Sequence, residues 1–206
     1  MWPKDLSIDV SRESLDALET YQRLLFKWQK AINLVSEKTL QESGIRHFAD
    51  SAQLAQYINS DVKRVMDWGS GAGFPGAVLG IMMPDIDFTC VESDERKCQF
   101  LRTVSRETSA TIRIENRRIE AMVKDTKTVP DLITARALKP VKVLLDYAKP
   151  FIEEHSDLNF LLLKGEQIND EISEASHYYD FSVDRWPSVT DSRGVIIRLS
   201  GIKIRP

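Results

Sequence analysis

From residue 64 onward the chain alternates short apolar runs with amphipathic ones, and this alternation constrains the fold more than any other feature. The pattern predicts strands over 64–68, 87–92, 111–115, 131–135 and 159–163, with helices between them at about 75–83, 94–107, 140–153 and 167–176. Such an alternation implies an α/β domain whose parallel sheet is covered on both faces. Two more strands, 180–186 and 194–199, have no helix between them. The chain should therefore close in a hairpin, with one antiparallel strand in a mostly parallel sheet. The first 60 residues read as helix. Leu15, Leu18, Tyr21, Leu25, Trp28 and Ile32 recur three and four apart, behind Ser11 as a plausible N-cap. A second apolar stripe runs through Ile45, Phe48, Ala52, Ala55 and Ile58. The expected organisation is an N-terminal helical extension over 1–60 and a sheet domain over 61–206.

At 206 residues and 42% hydrophobic, the chain suffices for one sizeable domain with a real core. No run reaches the roughly 20 apolar residues a membrane helix needs. The start, Met1-Trp2-Pro3-Lys4-Asp5, lacks the basic-then-apolar pattern of a secretory signal. A cytoplasmic protein is expected, with Cys90 and Cys98 as reduced, small core residues. Three histidines at no close spacing to the cysteines offer no metal site.

The most informative segment is Asp67-Trp68-Gly69-Ser70-Gly71-Ala72-Gly73-Phe74-Pro75-Gly76. It follows a predicted strand and opens a predicted helix, where α/β sheets bind ligands. Glycines let a ligand approach the main chain closely. Glu92 ends the next strand, placed to accept hydrogen bonds from ribose hydroxyls. Loop and acid together imply a nucleoside-containing cofactor. Gly71-x-Gly73-x-x-Gly76 satisfies the dinucleotide fingerprint literally, so a nicotinamide or flavin oxidoreductase stays open. Asp67 argues against it: a carboxylate projecting toward the ligand would repel a pyrophosphate but attract the ammonium and sulfonium of S-adenosylmethionine. A glycine turn with no ligand is the remaining alternative. The residues favour the methyl donor.

A wider set of segments then carries a resemblance: Tyr21-Gln-Arg-Leu-Leu-Phe-Lys-Trp28 with Asn33-Leu34, Arg46-His47-Phe-Ala-Asp50-Ser51, the loop extension Gly73-Phe-Pro-Gly76, Glu92-Ser93, Lys97-Cys-Gln-Phe-Leu101, Arg118-Ile-Glu120, Arg136-Ala137-Leu138 and Lys164-Gly165. In these the chain resembles the bacterial ribosomal small-subunit methyltransferase G family, also called the glucose-inhibited division protein B family. The resemblance implies a class I S-adenosylmethionine-dependent methyltransferase fold, Rossmann-like, and methylation of a guanine N7 in 16S ribosomal RNA without a metal. Its RNA partner would be 16S ribosomal RNA or the small-subunit particle. Gly69 and Phe74 would line the donor pocket and Ile119 and Glu120 would lie against the adenine, beside Asp67, Gly71 and Glu92. A noncatalytic RNA-binding protein that keeps the cofactor fold is the other alternative. Trp68 stands where the family has a small aliphatic residue, and Gln29 where it has Asn.

Arg136 follows a strand at the crevice, where amino-group methyltransferases carry Asn/Asp-Pro-Pro-aromatic; here Thr134-Ala-Arg-Ala-Leu-Lys-Pro140 stands instead. Arginine is a poor base but a good forked donor to phosphate or a guanine edge. Arg136, bordering the donor as well, and Lys164 at the next strand end are the candidate catalytic pair. Arg46 with Asp50, and His47 with Ser51, are four apart and share a helix face. That face is either a surface ion pair and hydrogen bond or an RNA-contacting surface. Between Arg96 and Arg118 seven basic residues stand against two acids, despite a net charge of −3. Arg46, His47, Arg117 and Arg118 are the candidate RNA contacts.

Overall fold

Ser11 caps the first helix, as its position predicts, by accepting from the Ser14 N–H at 3.1 Å. The computed structural model describes residues 8–155 and 157–206, so the Met1–Asp5 segment lies outside the described residues. Helix α1 (Arg12–Gln29) buries Leu18, Tyr21 and Leu25. It ends there because the Gln29 side chain turns back: its Oε1 accepts from Leu34 N and Val35 N at 3.0 and 3.1 Å, and its Nε2 donates to the Val35 carbonyl at 2.8 Å. Ile32 thus lies beyond the helix rather than on it. After α2 (Glu37–Leu40), residues 44–57 wind as a π turn over Gly44–Ala49, the short α3 (Asp50–Ala52) and a tight turn over Gln53–Tyr57. The changing pitch breaks the expected stripe. Phe48 and Ala52 are buried, but Ile45 turns outward and is 47% exposed.

The sheet follows in seven strands: β1 (Arg64–Trp68), β2 (Asp87–Glu92), β3 (Ile112–Asn116), β4 (Leu132–Arg136), β5 (Asn159–Lys164), β6 (Tyr179–Pro187) and β7 (Val195–Ile204). Their spatial order is β3-β2-β1-β4-β5-β7-β6. Strand β7 is antiparallel to both neighbours, β5 and β6, and the remaining pairs are parallel. Helices α4 (Gly76–Met82), α5 (Glu95–Glu107), α7 (Val141–Glu154) and α8 (Ile168–Ala175) match the predicted segments within a residue or so. The pattern does not reveal α6 (Ile119–Asp125), whose seven residues bury Ile119, Met122 and Val123 in too short a span to establish a period.

Side chains alternate across the pleat. Val65 and Phe88 pack with α1, α4 and α5 in one cluster; Met66, Trp68, Ile133 and Phe160 pack with α6, α7 and α8 in the other. Trp68 is fully buried edge-on to Phe160, at 5.9 Å between centroids, so the bulk that departs from the family pattern is absorbed in the core of that second face. The N-terminal helices contribute Leu18, Tyr21, Leu25, Phe48 and Leu54 to the first cluster. Two buried hydroxyls tie α1 down: Ser14 Oγ donates to the Ile81 carbonyl at 3.1 Å, and Tyr21 donates to the Ala72 carbonyl. The second bond joins the first helix to the glycine loop.

Candidate active site

The crevice lies at the carboxyl ends of β1, β2, β4 and β5. The loop 69–75 leaves β1 with Gly69, Gly71 and Gly73 all at positive φ, and the Gly69 and Ser70 N–H groups donate to the Val91 carbonyl at 2.9 and 3.1 Å. Two glycines are demanded by packing, one in the loop and one at the start of α4. A Cβ on Gly73 would fall 2.4 Å from the Tyr21 hydroxyl, and one on Gly76 would fall 2.4 Å from Asp67 Cβ. Gly71 differs: a Cβ there would meet only the Gly69 carbonyl at 3.9 Å, so the space above its backbone is open to a ligand.

Glu92 ends β2 beneath this opening. One carboxylate oxygen accepts from Gly71 N at 2.9 Å, and the other from Ser93 N and Asp94 N at 2.7 and 2.8 Å. The Glu92 carbonyl accepts from Asn116 Nδ2 and Arg117 N, both at 3.1 Å, which brings the end of β3 alongside. Ile119, one turn on, is 8% exposed. Glu120 is exposed, its carboxyl held below its usual range by its own backbone N–H and by the Tyr147 hydroxyl.

Asp67 requires a correction. The sequence reading has its carboxylate project toward the ligand; instead it is fully buried under the loop. Its Oδ1 accepts from the Thr134 hydroxyl at 2.9 Å, and its Oδ2 has no hydrogen-bond partner. Burial pushes its pKa from 3.8 up to about 6, against the opposing pull of Ser70, Thr134, the Gly76 N–H and Arg136. Asp67 turns inward because β1 alternation places it on the face that α4 covers, where Gly76 leaves room for it. Phe74 is likewise buried, 4% exposed, within an aromatic group of Tyr21 (stacked, 5.6 Å), His47 (stacked, 5.0 Å) and Phe48 (edge-on, 5.2 Å). It serves as the floor on which the next wall stands.

That wall begins with Arg136, the last residue of β4, whose guanidinium lies 5.1 Å above the Phe74 ring. It donates to the Arg46 carbonyl at 3.1 Å and faces Asp50 Oδ2 at 3.3 Å. Lys164, the last residue of β5, donates to Glu171 at 2.7 Å and to the Lys139 carbonyl at 2.6 Å; Glu171 also accepts from Val141 N at 2.9 Å. Arg136, Lys164, Arg46 and His47 line one cavity of about 750 Å³, together with Asp50, Leu138, Glu171, Thr190 and Asp191. Leu138 roofs the passage toward the loop, its Cδ1 2.4 Å from where a Gly69 Cβ would stand.

The 46–51 face is wired differently from its spacing. Arg46 pairs with Asp191 at 3.5 Å, leaving Asp50 to Arg136. The Ser51 hydroxyl donates to the His47 carbonyl at 2.6 Å and does not meet the imidazole. His47 is itself buried, 8% exposed. Burial, with Arg136 and Arg46 nearby, lowers its pKa to about 4, and its Nε2 contacts the Thr39 hydroxyl at 3.0 Å. Arg117 and Arg118 stand apart from the cavity; Arg117 pairs with Asp125, and Arg118 sits exposed at the head of α6. Sequence reasoning missed Glu171 and Thr190, whose positions carry no local motif.

Comparison with known proteins follows the same lines. A family model described as rRNA small subunit methyltransferase G matches residues 14–194. The chain is 42% identical over 202 residues to the ribosomal RNA small subunit methyltransferase G of Paramagnetospirillum magneticum, covering 97% of this chain and 95% of that one. It is 40% identical over 206 residues to the same-named protein of Rhodospirillum rubrum, covering 98% of each. Among solved structures, the O-methyltransferase TomG of Streptomyces achromogenes in complex with SAM aligns over 95% of this chain and 92% of its own at TM-score 0.59 and 8% identity. TrmK of M. capricolum in complex with S-adenosyl-homocysteine aligns over 82% and 70% at TM-score 0.54 and 14% identity. The fold is that of the class I methyltransferases.

Proposed function

We infer the activity from what the chain is: it belongs to the rRNA small subunit methyltransferase G family. It transfers a methyl group from S-adenosylmethionine to N7 of a guanine in 16S ribosomal RNA, presented as RNA or as the small-subunit particle, in the cytoplasm. The observation that carries this reading is the adjacency of two built walls: the Glu92 carboxylate under the open Gly71 backbone, and a cavity flanked by Arg136 and Lys164.

The bound donor supplies an electrophilic methyl on a sulfonium. Glu92 accepts from its ribose hydroxyls, in a carboxylate already oriented by three backbone N–H groups. Gly71 gives it close approach to the main chain. Asp67 acts from beneath, bracing the loop against β4 through Thr134.

Guanine N7 offers a lone pair and carries no proton, so no residue need act as a base. His47, neutral at pH 7, has no proton to accept in this reaction. Alkylation leaves positive charge on the guanine ring, which a net cationic pocket would oppose. Arg136 and Lys164 come with counter-charges, Asp50 and Glu171, so they offer directed N–H groups without a large positive field. Arg136 suits the guanine O6 or a flanking phosphate, leaving N7 free to attack. Positioning then supplies most of the rate.

The test is to follow tritiated methyl transfer to small subunits from cells lacking the gene and to map the product by cleavage at N7-methylguanosine. Label at a guanine N7 in 16S RNA is expected. Label on protein or on another base atom, or calorimetric binding of nicotinamide cofactors in preference to S-adenosylmethionine, would overturn the reading.

A further inference from the structure

The loop between β6 and β7, which carries Thr190 and Asp191, is bound into the cavity wall. Gln53, 1% exposed, holds it: Gln53 Oε1 accepts from Val189 N at 3.0 Å, and Nε2 approaches Ser188 Oγ at 3.1 Å and Thr190 Oγ1 at 3.3 Å. These contacts meet on one carboxylate. Asp50 Oδ1 accepts from the Thr190 hydroxyl at 2.6 Å and from Gln53 Nε2 at 2.9 Å, while Asp50 Oδ2 faces Arg136 at 3.3 Å. One oxygen is held by the loop and the other holds the arginine. Asp50 and Arg136 are both largely shielded from solvent, with side chains 17% and 18% exposed.

We propose that Thr190 is a positioning residue for methyl transfer: its hydroxyl fixes the Asp50 carboxylate, and Asp50 fixes the Arg136 guanidinium at the cavity wall. The proposal rests on the reading of Arg136 as the group that orients the guanine. A free arginine side chain samples many rotamers, and a carboxylate already held on its far side removes that freedom before the substrate arrives. Without the Thr190 hydroxyl, Asp50 loses its shortest hydrogen bond and can turn from Arg136 toward Arg46, its neighbour one helical turn back. The hydrogen-bond partners of Thr190 are Gln53, Ser188 and Asp50, none of them on the donor side, so its loss should spare donor binding.

The experiment is a mutant cycle read by single-turnover methylation of unmodified small ribosomal subunits at saturating donor. Thr190→Val, nearly isosteric, should slow transfer about tenfold, the usual effect of losing a hydrogen bond to a charged group. Donor affinity by calorimetry should not change, and Thr190→Ser, which keeps the hydroxyl, should transfer at close to the wild-type rate. In an Arg136→Ala background Thr190→Val should add no further slowing, because contacts acting through one group are not additive. A Thr190→Val protein as fast as wild type, a Thr190→Ser protein equally slow, or a loss that persists in the Arg136→Ala background overturns the proposal alone. A fully active Arg136→Ala protein overturns the reading of the site and this proposal with it. If Thr190→Val lowers the urea midpoint, Thr190→Ala takes its place in the same cycle, since a general loss of stability does not vanish when Arg136 is absent.

Discussion

The two walls of the crevice are built from different materials. On the glycine-loop side the structure is backbone and close packing: Tyr21, Ala77, Leu101 and Asp67 press against positions where no Cβ fits. On the cavity side it is paired charge: Arg136 with Asp50, Lys164 with Glu171, Arg46 with Asp191, around open space. Packed interiors resist change because each added methyl needs room, whereas side chains that line open space can be shortened without a clash. Substitutions on the first wall should therefore register as lost stability or donor binding, and on the second as lost rate in a protein that still folds.

The harshest way to sharpen that contrast is Gly73→Ala. Gly73 lies at φ +93°, and the new Cβ would meet the Tyr21 hydroxyl at 2.4 Å and both Ala77 and Leu101 at 2.8 Å. Overpacking and backbone strain together should cost about 3 kcal/mol or more, read as a lowered urea midpoint. An unchanged midpoint would mean that the loop is not packed as described.

On the other wall, Arg136→Ala should slow single-turnover transfer about a hundredfold, the scale of removing one preorganised donor, while donor affinity and unfolding midpoint change little. A variant that loses donor affinity in proportion to rate would erase the division between the walls. Returning to the donor side, Glu92→Gln replaces one of the two acceptor oxygens with an NH2 group, which cannot accept from the backbone N–H or ribose hydroxyl that oxygen serves. Calorimetry should show donor affinity weakened about tenfold. Equal affinity would remove Glu92 from the pocket.

The smallest effect expected at neutral pH is that of His47→Gln, which should keep most of the chemistry. The single-turnover rate should be flat from roughly pH 6.5 to 8.5, a range that takes in the upper half of the titration of a histidine of ordinary pKa. A steep rise that disappears in His47→Gln would restore the histidine as a base. Acid stability separates the walls again. His47 titrates at about 4 in the fold instead of 6.5, so the folded state loses stability as pH falls through that window. Asp67 titrates at about 6 instead of 3.8, so the folded state gains stability as pH falls over nearly the same range. In the wild type these slopes oppose each other. Of this pair only the Asp67 slope survives in His47→Gln, and denaturation series should show a variant that gains stability between pH 6 and pH 4 relative to wild type over the same range. Parallel curves for the two proteins would contradict the burial of His47.

What the sequence determined by itself was whatever a local pattern can encode. The two periods, near 2 and near 3.6, marked the strands and the longer helices, and the missing helix before the last strand implied the antiparallel partner found between β5 and β6. The glycine loop, Glu92 at one strand end, and Arg136 and Lys164 at two others were legible because strand ends in a parallel sheet meet along one edge. Tertiary structure alone decided which way these groups face and what holds them. Strand alternation and the space left by Gly76 turned Asp67 inward. The varying pitch of residues 44–57 gave Asp50 to Arg136 instead of Arg46, and stacked His47 on Phe74. Asp50 reaches Arg136 across 86 residues and Thr190 across 140. No periodicity spans such separations; only the assembled sheet, with the first helices packed on one of its faces, brings those side chains within hydrogen-bonding distance.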